Sequence, residues 1–402
     1  MRADLLVHDI SCLYTCAPDA PELGMRVGAS VAFLEGEVAW IGEAAHAPDA
    51  DEVMDGSGLV GLPGLVDPHT HAIWAGSRSD EFRRRLAGAS YSESLEAGGG
   101  ILSTVRATRA ASREDLAAAG RARLTGLRSH GVTTVEVKSG YGLEPDAEVR
   151  ILQAAWDCND TVRVVPTFLG AHAVPAEFRH DRASYVAQVI HEQLPRCAPL
   201  ADFVDVYCDR GAFTVAETVE ILAAARNLGL GIKCHAEQVA RTGAAAAAAG
   251  LGAVSVEHLE QIDAAGVAAL AAAGTVAVLL PGAQLYLRDR SPPVADLREA
   301  GVPLALGTDL NPGSSPVHDP WTIATLACLL QGFTIEEAVL GITRVAGQAL
   351  GRPDLGWLGA GSVGDLALFA PPPGEPATVA SLVQHMGAHR AVAVVRDGVR
   401  VV

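Results

Sequence analysis

The sequence is poor in aromatic and basic residues and has no long apolar run. Phe, Trp and Tyr make up 5% of its 402 residues, and 30 Lys and Arg stand against 47 Asp and Glu, for a formal net charge of −17. No basic cluster could neutralise a phosphate backbone, which argues against nucleic acid as a partner. No segment approaches the roughly 20 apolar residues that cross a bilayer, which argues against a membrane partner.

Cysteine is present, but without the pattern of a disulfide framework. The seven cysteines are odd in number, scattered and mostly inside apolar runs. Cys12 and Cys16 are four residues apart, yet no second Cys or His pair follows at the spacing of a structural zinc site. The N-terminus alternates apolar with polar residues and lacks the apolar core of a signal peptide. These features predict reduced thiols and a cytoplasmic protein.

Both chain ends predict short β-strands. Residues 4–10 and 31–42 are strand-like at the N-terminal end, and residues 365–370 and 389–402 are strand-like at the other. Asp397-Gly398 within the last segment is typical of a tight hairpin. Neither end has enough strands to be stable alone. We therefore expect a small β-sandwich domain built from residues 1–60 plus 360–402.

The middle of the chain, residues 61–359, predicts a barrel. Apolar runs of strand length alternate there with Ala-, Leu- and Glu-rich stretches of helical length, as in βα units. The runs are almost continuously apolar, which is expected of parallel strands buried on both faces. Eight such units predict an α/β fold of the TIM type, a (β/α)8 barrel. The runs are residues 64–71, 132–138, 164–172, 203–209, 231–237, 254–260, 275–281 and 303–309.

The connection after the first run is long and contains the consecutive glycines Gly98–Gly100. Glycine lowers backbone stiffness, so this segment could be a lid or a substrate loop. A plain surface excursion is the alternative.

Several runs end in histidine or aspartate. His69 and His71 are two residues apart and therefore share one face of a strand. His235, His258 and Asp309 follow the fifth, sixth and eighth runs. The carboxyl ends of barrel strands meet at one mouth, where such folds keep their chemistry. Three imidazoles and a carboxylate suit one zinc or iron ion, which leaves His258 to orient water or polarise a carbonyl group.

These motifs resemble the amidohydrolase superfamily. The segment DPHTH at 67–71, a histidine on strands five and six and an aspartate on strand eight carry the resemblance, which implies a metal-dependent hydrolase with a barrel and a small sandwich. Binuclear members place a carboxylated lysine at the end of strand four, where this chain has Cys208-Asp209. The conspicuous lysine here, Lys138, falls on strand two. That departure favours a single metal ion.

Longer blocks narrow the resemblance to the imidazolonepropionase family. HAIWAGSR, VEVKSGYGLE, TFLGAHAVP, HAEQ and DLNPGSSP carry it, from about residue 60 to the C-terminus. It implies hydrolysis of the cyclic amide of 4-imidazolone-5-propanoate to N-formimidoyl-L-glutamate in histidine degradation, and a possible homodimer. The residues it implies are His69, His71, His235 and Asp309 as metal ligands, Asp309, His258, His172 and Gln238 in catalysis, and Arg78, Tyr141, His172, Gln238, Asn311, Gly313 and Ser314 as substrate contacts.

The residue types agree with these roles, and each also has a plainer interpretation. Arg78 offers a planar fork to a substrate carboxylate, or it is a surface arginine paired with Asp80 or Glu81. Tyr141 lies between glycines, as in a tight loop, or is a core tyrosine. An amide at Gln238 can hydrogen-bond but cannot transfer a proton.

Two other functions remain open from the sequence. A purine or pyrimidine deaminase would share the metal ligands and would release ammonia from guanine or cytosine. A non-catalytic amidohydrolase-like scaffold would be expected to have lost ligands, and none is missing. Zinc and iron are equally acceptable to three imidazoles and a carboxylate.

Overall fold

The computed structural model describes residues 1–88 and 100–402 of the chain. Gly98 and Gly99, part of the glycine segment in the long connection, lie outside the described residues. Two eight-stranded sheets organise the rest. The sixteen strands are β1 Arg2–Tyr14, β2 Met25–Leu34, β3 Glu37–Glu43, β4 Asp49–Asp55, β5 Val60–Pro63, β6 Leu65–Asp67, β7 Val132–Lys138, β8 Arg163–Ala171, β9 Phe203–Cys208, β10 Gly231–Ala236, β11 Ser255–His258, β12 Val276–Leu279, β13 Leu304–Leu306, β14 Leu366–Phe369, β15 Ala391–Arg396 and β16 Val399–Arg400.

The sheet of β6 to β13 is a parallel barrel in which strands adjacent in sequence are adjacent in space. Its eight strands coincide with the eight apolar runs, so the predicted (β/α)8 fold is confirmed. None of the described helices is long and apolar enough to cross a membrane. The α-helices are Ser79–Leu86, Ile101–Ala110, Arg113–Arg128, Pro145–Trp156, Arg182–Gln188, Leu194–Cys197, Val215–Asn227, Ala244–Gly250, Ala264–Ala273, Pro281–Leu287, Val294–Glu299, Pro320–Gln331, Ile335–Gly341, Arg344–Ala349 and Val379–Gln384.

The first and last barrel strands meet just beyond their ends. A parallel bridge pairs Thr70 with Leu310. The buried carboxylate of Asp67 accepts hydrogen bonds from the backbone N–H of Thr308 at 3.0 Å and from its hydroxyl at 2.5 Å. Asp67 thus fastens the end of β6 to the segment after β13, and this contact closes the barrel at its carboxyl mouth.

The second sheet joins the two chain ends. Its strand order is β16-β15-β14-β5-β1-β2-β3, and β4 pairs with β1. The two ends of the chain meet where β5 runs antiparallel to β14. The hairpin at Asp397-Gly398 is as predicted, with φ of 50° and 72° at its two turn residues. Apolar side chains from both ends form one core under this sheet, among them Leu5, Val31 and Leu366.

A single residue, Gly64, separates β5 of the second sheet from β6 of the barrel. Its N–H donates to the carbonyl oxygen of Asp365 at 2.9 Å. A Cβ atom at this position would lie 2.3 Å from Oγ1 of Thr133. The two sheets approach so closely here that only a hydrogen atom fits.

We therefore expect Gly64→Ala to destabilise the protein by about 1–3 kcal/mol, the usual cost of overpacking. Differential scanning calorimetry should show a lower Tm for this variant. The matched control is Gly250→Ala, at the end of a helix where an added Cβ meets nothing within 4 Å. Its Tm should be unchanged or higher, because Gly is a poor helix residue. Equal Tm values for Gly64→Ala and the wild type would contradict the close approach.

Candidate metal centre

Three imidazoles and one carboxylate converge at the carboxyl mouth of the barrel. Ligand atoms of His69, His71 and His235 all lie within 4.8 Å of one another. Nε2 of His69 is 3.4 Å, and Nε2 of His71 3.6 Å, from Oδ1 of Asp309. The Nε2 atoms of His71 and His235 are 3.4 Å apart. The structure therefore brings together the four residues that the sequence singles out as metal ligands.

The closed seam between the first and last strands sets this geometry. The N–H of Asp309 donates to the carbonyl oxygen of His69 at 2.9 Å, and the N–H of His71 donates to that of Leu310 at 2.9 Å. Asp309 has a φ of 51° and His258 a φ of 75°. Residues other than glycine rarely adopt this left-handed region, and such strain is concentrated at functional sites.

Burial keeps the three imidazoles neutral. It lowers the pKa of His69 and of His71 well below the ordinary histidine value, and lowers that of His235 to about 3. Among the described residues, both ring nitrogens of His69 and Nδ1 of His71 have no hydrogen-bond partner. Unsatisfied buried polar atoms are costly. Neutral imidazoles with unused lone pairs are what a metal ion requires, so this donor set fits one.

The carboxyl group of Asp309 is buried beside the imidazoles of the cluster. Burial raises its pKa to about 7, although neighbouring His258 acts in the opposite direction. A cation beside this carboxylate would lower its pKa again.

His258 lies next to the cluster, but its pKa is shifted upward and not downward. Its ring centroid lies 5.9 Å from that of His69 and 5.4 Å from that of His235. Burial alone would lower its pKa, but the carboxylates of Glu260, Asp309 and Glu257 together outweigh burial and raise it. Oε2 of Glu260 is 3.9 Å from Nδ1. His258 is therefore the imidazole of the site best able to donate a proton or a hydrogen bond.

His172, in contrast to His258, has a lowered pKa. Its ring stacks on that of His71, with centroids 5.0 Å apart, and its Nδ1 is 3.0 Å from the carbonyl oxygen of Gly140. A carbonyl oxygen only accepts, so Nδ1 carries the hydrogen and Nε2 keeps a lone pair. Burial lowers the pKa of His172 to about 4. The neutral ring thus offers an acceptor at Nε2.

Tyr141 is buried on a loop held by a carboxylate that the sequence analysis did not single out. Its ring centroid lies 5.8 Å from that of His71 and 5.5 Å from that of His172. The buried side chain of Glu148 accepts hydrogen bonds from the backbone N–H groups of residues 140, 142 and 143, at 2.7 to 2.9 Å. Glu148 lies in the first turn of the helix Pro145–Trp156, and an acidic residue at that position was the signal that could have identified this role.

Arg78 is largely buried and has a fixed partner. Its Nε and Nη2 donate to the carboxylate of Glu81 at 2.6 and 2.5 Å. A Cβ atom on Gly313 would lie 2.9 Å from Nη1, so the third guanidinium nitrogen faces that glycine. The pairing with Glu81 that the sequence analysis considered is therefore present. Within the described residues, it leaves Nη1 available to another acceptor.

The remaining predicted contacts sit at the rim. The side-chain oxygen of Gln238 accepts a hydrogen bond from the hydroxyl of Tyr207 at 3.0 Å, and the Tyr207 ring centroid is 5.8 Å from that of His235. Asn311 is engaged within its own loop, where its side-chain oxygen accepts from the N–H groups of Gly313 and Ser314. Asn311 therefore shapes the loop that carries the other two residues.

Comparison with known proteins agrees with this architecture. The model of the Amidohydrolase family matches residues 87–402. Two solved structures share the fold over 99% of this chain: an adenosine deaminase from Xanthomonas campestris with bound zinc (18% identity, TM-score 0.75, 93% of that chain) and an atrazine chlorohydrolase from Arthrobacter aurescens complexed with zinc (17% identity, TM-score 0.71, 95% of that chain). At this identity the likeness concerns the fold alone.

Curated relatives are much more similar. Imidazolonepropionase of Caulobacter vibrioides is 48% identical over 93% of this chain and 94% of its own length. That of Methylobacterium nodulans is 46% identical over 99% and 100%, and that of Shewanella woodyi is 44% identical over 93% of both. The chain belongs to the imidazolonepropionase family of the amidohydrolases.

Proposed function

We propose that this chain catalyses the imidazolonepropionase reaction, the hydrolysis of the cyclic amide of 4-imidazolone-5-propanoate to N-formimidoyl-L-glutamate. One observation carries the proposal: the four predicted metal ligands converge at the barrel mouth of a chain that is up to 48% identical to imidazolonepropionases. Tyr141 and His172 line the same mouth beside His71.

His69, His71, His235 and Asp309 would hold one zinc or iron ion. Such an ion, when bound, supplies Lewis acidity that acidifies water and polarises a carbonyl group. Neutral imidazoles and a carboxylate accept either metal. A single ion is favoured because the fourth barrel strand ends in Cys208-Asp209 and has no lysine there for a bridging carbamate.

The chain's own residues would handle the protons of the reaction. Asp309 accepts a proton from the attacking water and delivers it to the ring nitrogen as the bond between carbonyl carbon and nitrogen breaks. The water oxygen and the former carbonyl oxygen become the new carboxylate. His258 donates a hydrogen bond to the carbonyl oxygen, where negative charge develops. His172, as an acceptor at Nε2, binds a ring N–H of the substrate.

Substrate orientation would come from the other side of the mouth. Glu81 holds the guanidinium of Arg78 through Nε and Nη2, so within the part of the chain that the structure describes Nη1 is available, and it suits the propanoate carboxylate. Tyr141, Gln238, Asn311, Gly313 and Ser314 complete the proposed substrate contacts, with Asn311 acting through the shape of its loop.

The proposal also includes a domain division, a cellular location and an oligomeric state. Residues 1–60 with 360–402 form the small domain, and residues 61–359 form the catalytic one. The seven free thiols, six of them buried, suit a cytoplasmic protein. A homodimer is proposed by resemblance to relatives.

The activity is tested by generating the substrate in place from urocanate with urocanase and following its ultraviolet absorbance. We expect its loss to require this protein, to stop after chelator treatment and to return with zinc or ferrous iron, with formimidoylglutamate as the product. A folded, metal-loaded sample that leaves the substrate untouched, or that instead releases ammonia from guanine or cytosine, would contradict the proposal.

Asp309→Asn should lower kcat/KM at least about 100-fold, because it removes the proton acceptor and weakens a metal ligand. Steady-state kinetics with metal-loaded enzyme measures this. The control is Asp296→Asn, the same change on an exposed helix position, which should behave as the wild type. Near-normal turnover in Asp309→Asn would rule out the proposed role.

Arg78→Ala should raise KM roughly 10- to 150-fold, which corresponds to the loss of about 1.5–3 kcal/mol of hydrogen bonding to a charged group. The rate at saturating substrate should change much less. Arg83→Ala, on the same helix with an exposed side chain, serves as the control. An unchanged KM in Arg78→Ala would reject the anchor.

A further inference from the structure

Five charged side chains are fully buried in the barrel interior behind the metal-ligand cluster. They come from four of the barrel strands, β7, β9, β10 and β11. Each is 0% exposed. Burying an ion is costly unless other charges compensate it, so these groups must be read as one network. Its members are Glu136, Lys138, Asp205, Lys233 and Glu257.

Asp205 links this network to a metal ligand. Its Oδ1 accepts a hydrogen bond from the backbone N–H of His235 at 3.1 Å. Its Oδ2 lies 2.8 Å from Nδ1 of His235, in a bent approach. The opposite ring nitrogen, Nε2, is the one that faces the metal-ligand cluster. A carboxylate behind a metal-binding imidazole fixes its tautomer and orientation.

Lys138 in turn holds Asp205. Its ammonium donates to Oδ2 of Asp205 at 2.7 Å and to Oε1 of Glu136 at 3.0 Å, and it lies 4.0 Å from Oε1 of Glu257. The ammonium of Lys138 thus compensates the buried side chain of Asp205.

The ammonium of Lys138 also lies beside a second cluster of potential metal ligands. Ligand atoms of Asp205, His235 and Glu257 lie close enough together to hold a metal ion of their own. The ammonium of Lys138 contacts the first of these and lies within 4.0 Å of the last. A second cation could enter only by displacing it, and two cations at this distance in a dry interior repel strongly.

We propose that Lys138 is a built-in cation that takes the place of a second metal ion and holds the side chain of Asp205 as the positioning residue for His235. The proposal rests on the proposed metal site but not on the identity of the substrate. The barrel would then supply a positive charge of its own behind the metal-ligand cluster.

The neighbouring lysine provides a matched control. Lys233 is equally buried, and its ammonium lies 2.9 Å from Oε1 of Glu136. Within the described residues, Lys233 forms its ion pair with that carboxylate, whereas Lys138 also contacts Asp205. Truncating either lysine removes a buried cation that compensates the carboxylates of the network and should lower Tm. Only Lys138 is expected to affect the metal centre.

The test is metal binding, with zinc as the probe. Zinc per chain is measured after equilibration with excess zinc and gel filtration, and zinc affinity is measured by competition with a chromophoric chelator. We expect one zinc in the wild type and in Lys233→Ala, and more than one in Lys138→Ala. We expect Asp205→Asn to bind zinc about 10- to 100-fold more weakly than the wild type.

Either half of the proposal can fail separately. One zinc per chain in folded Lys138→Ala would overturn the exclusion of a second ion. An unchanged zinc affinity in Asp205→Asn would overturn the positioning role. So would a loss of zinc affinity in Lys233→Ala as large as that in Asp205→Asn, because a merely structural effect would follow the Tm in all three variants.

A measurement on the unaltered protein covers variants that do not fold. Anomalous diffraction from zinc-loaded wild-type crystals should show one ion, bound by Nε2 of His235, with the Lys138 ammonium between Asp205 and Glu257. A second anomalous peak between these carboxylates would overturn the proposal. Because no readout uses the substrate, a failed activity assay and a failed metal result remain distinguishable.

Discussion

The candidate site depends on the seam that joins the first barrel strand to the last. Asp67 fastens Thr308, Thr70 pairs with Leu310, and the backbone of His69 binds that of Asp309. These bonds bridge residues some 240 positions apart in the chain. Without them, the carboxylate would not face the two imidazoles. A barrel that closes at this point therefore builds its metal-ligand cluster in the same step.

Below that mouth, the barrel interior combines charge with apolar packing. The ammoniums of Lys138 and Lys233 face carboxylates across the barrel interior. Burial raises the pKa of Glu257 to about 7, which reduces the negative charge that must be compensated. Such a network stabilises less than a hydrocarbon core of the same size would. Its benefit lies in position, because it fixes the imidazole of His235 from behind.

The sequence was sufficient to predict the barrel and which residues meet at its carboxyl mouth. Continuous apolar runs that end in His69, His71, His235 and Asp309 predict parallel strands, and topology then brings their ends together. The partners of Lys138 could not be predicted, because they depend on the register between strands. The sequence did contain a signal. Glu136 lies two residues before Lys138, and Lys233 lies two residues before His235, so each pair shares one face of its strand. The left-handed backbone at Asp309 and His258 has no sequence signature, since neither residue is glycine.

The central claim is that water attacks the ring carbonyl at this metal centre. It is tested most directly by a turnover in water enriched in oxygen-18, followed by mass spectrometry of the product fragments. The account predicts N-formimidoyl-L-glutamate with one labelled oxygen in the carboxylate derived from the ring carbonyl. Label on the carbon between the two ring nitrogens, or a product without label, would contradict it.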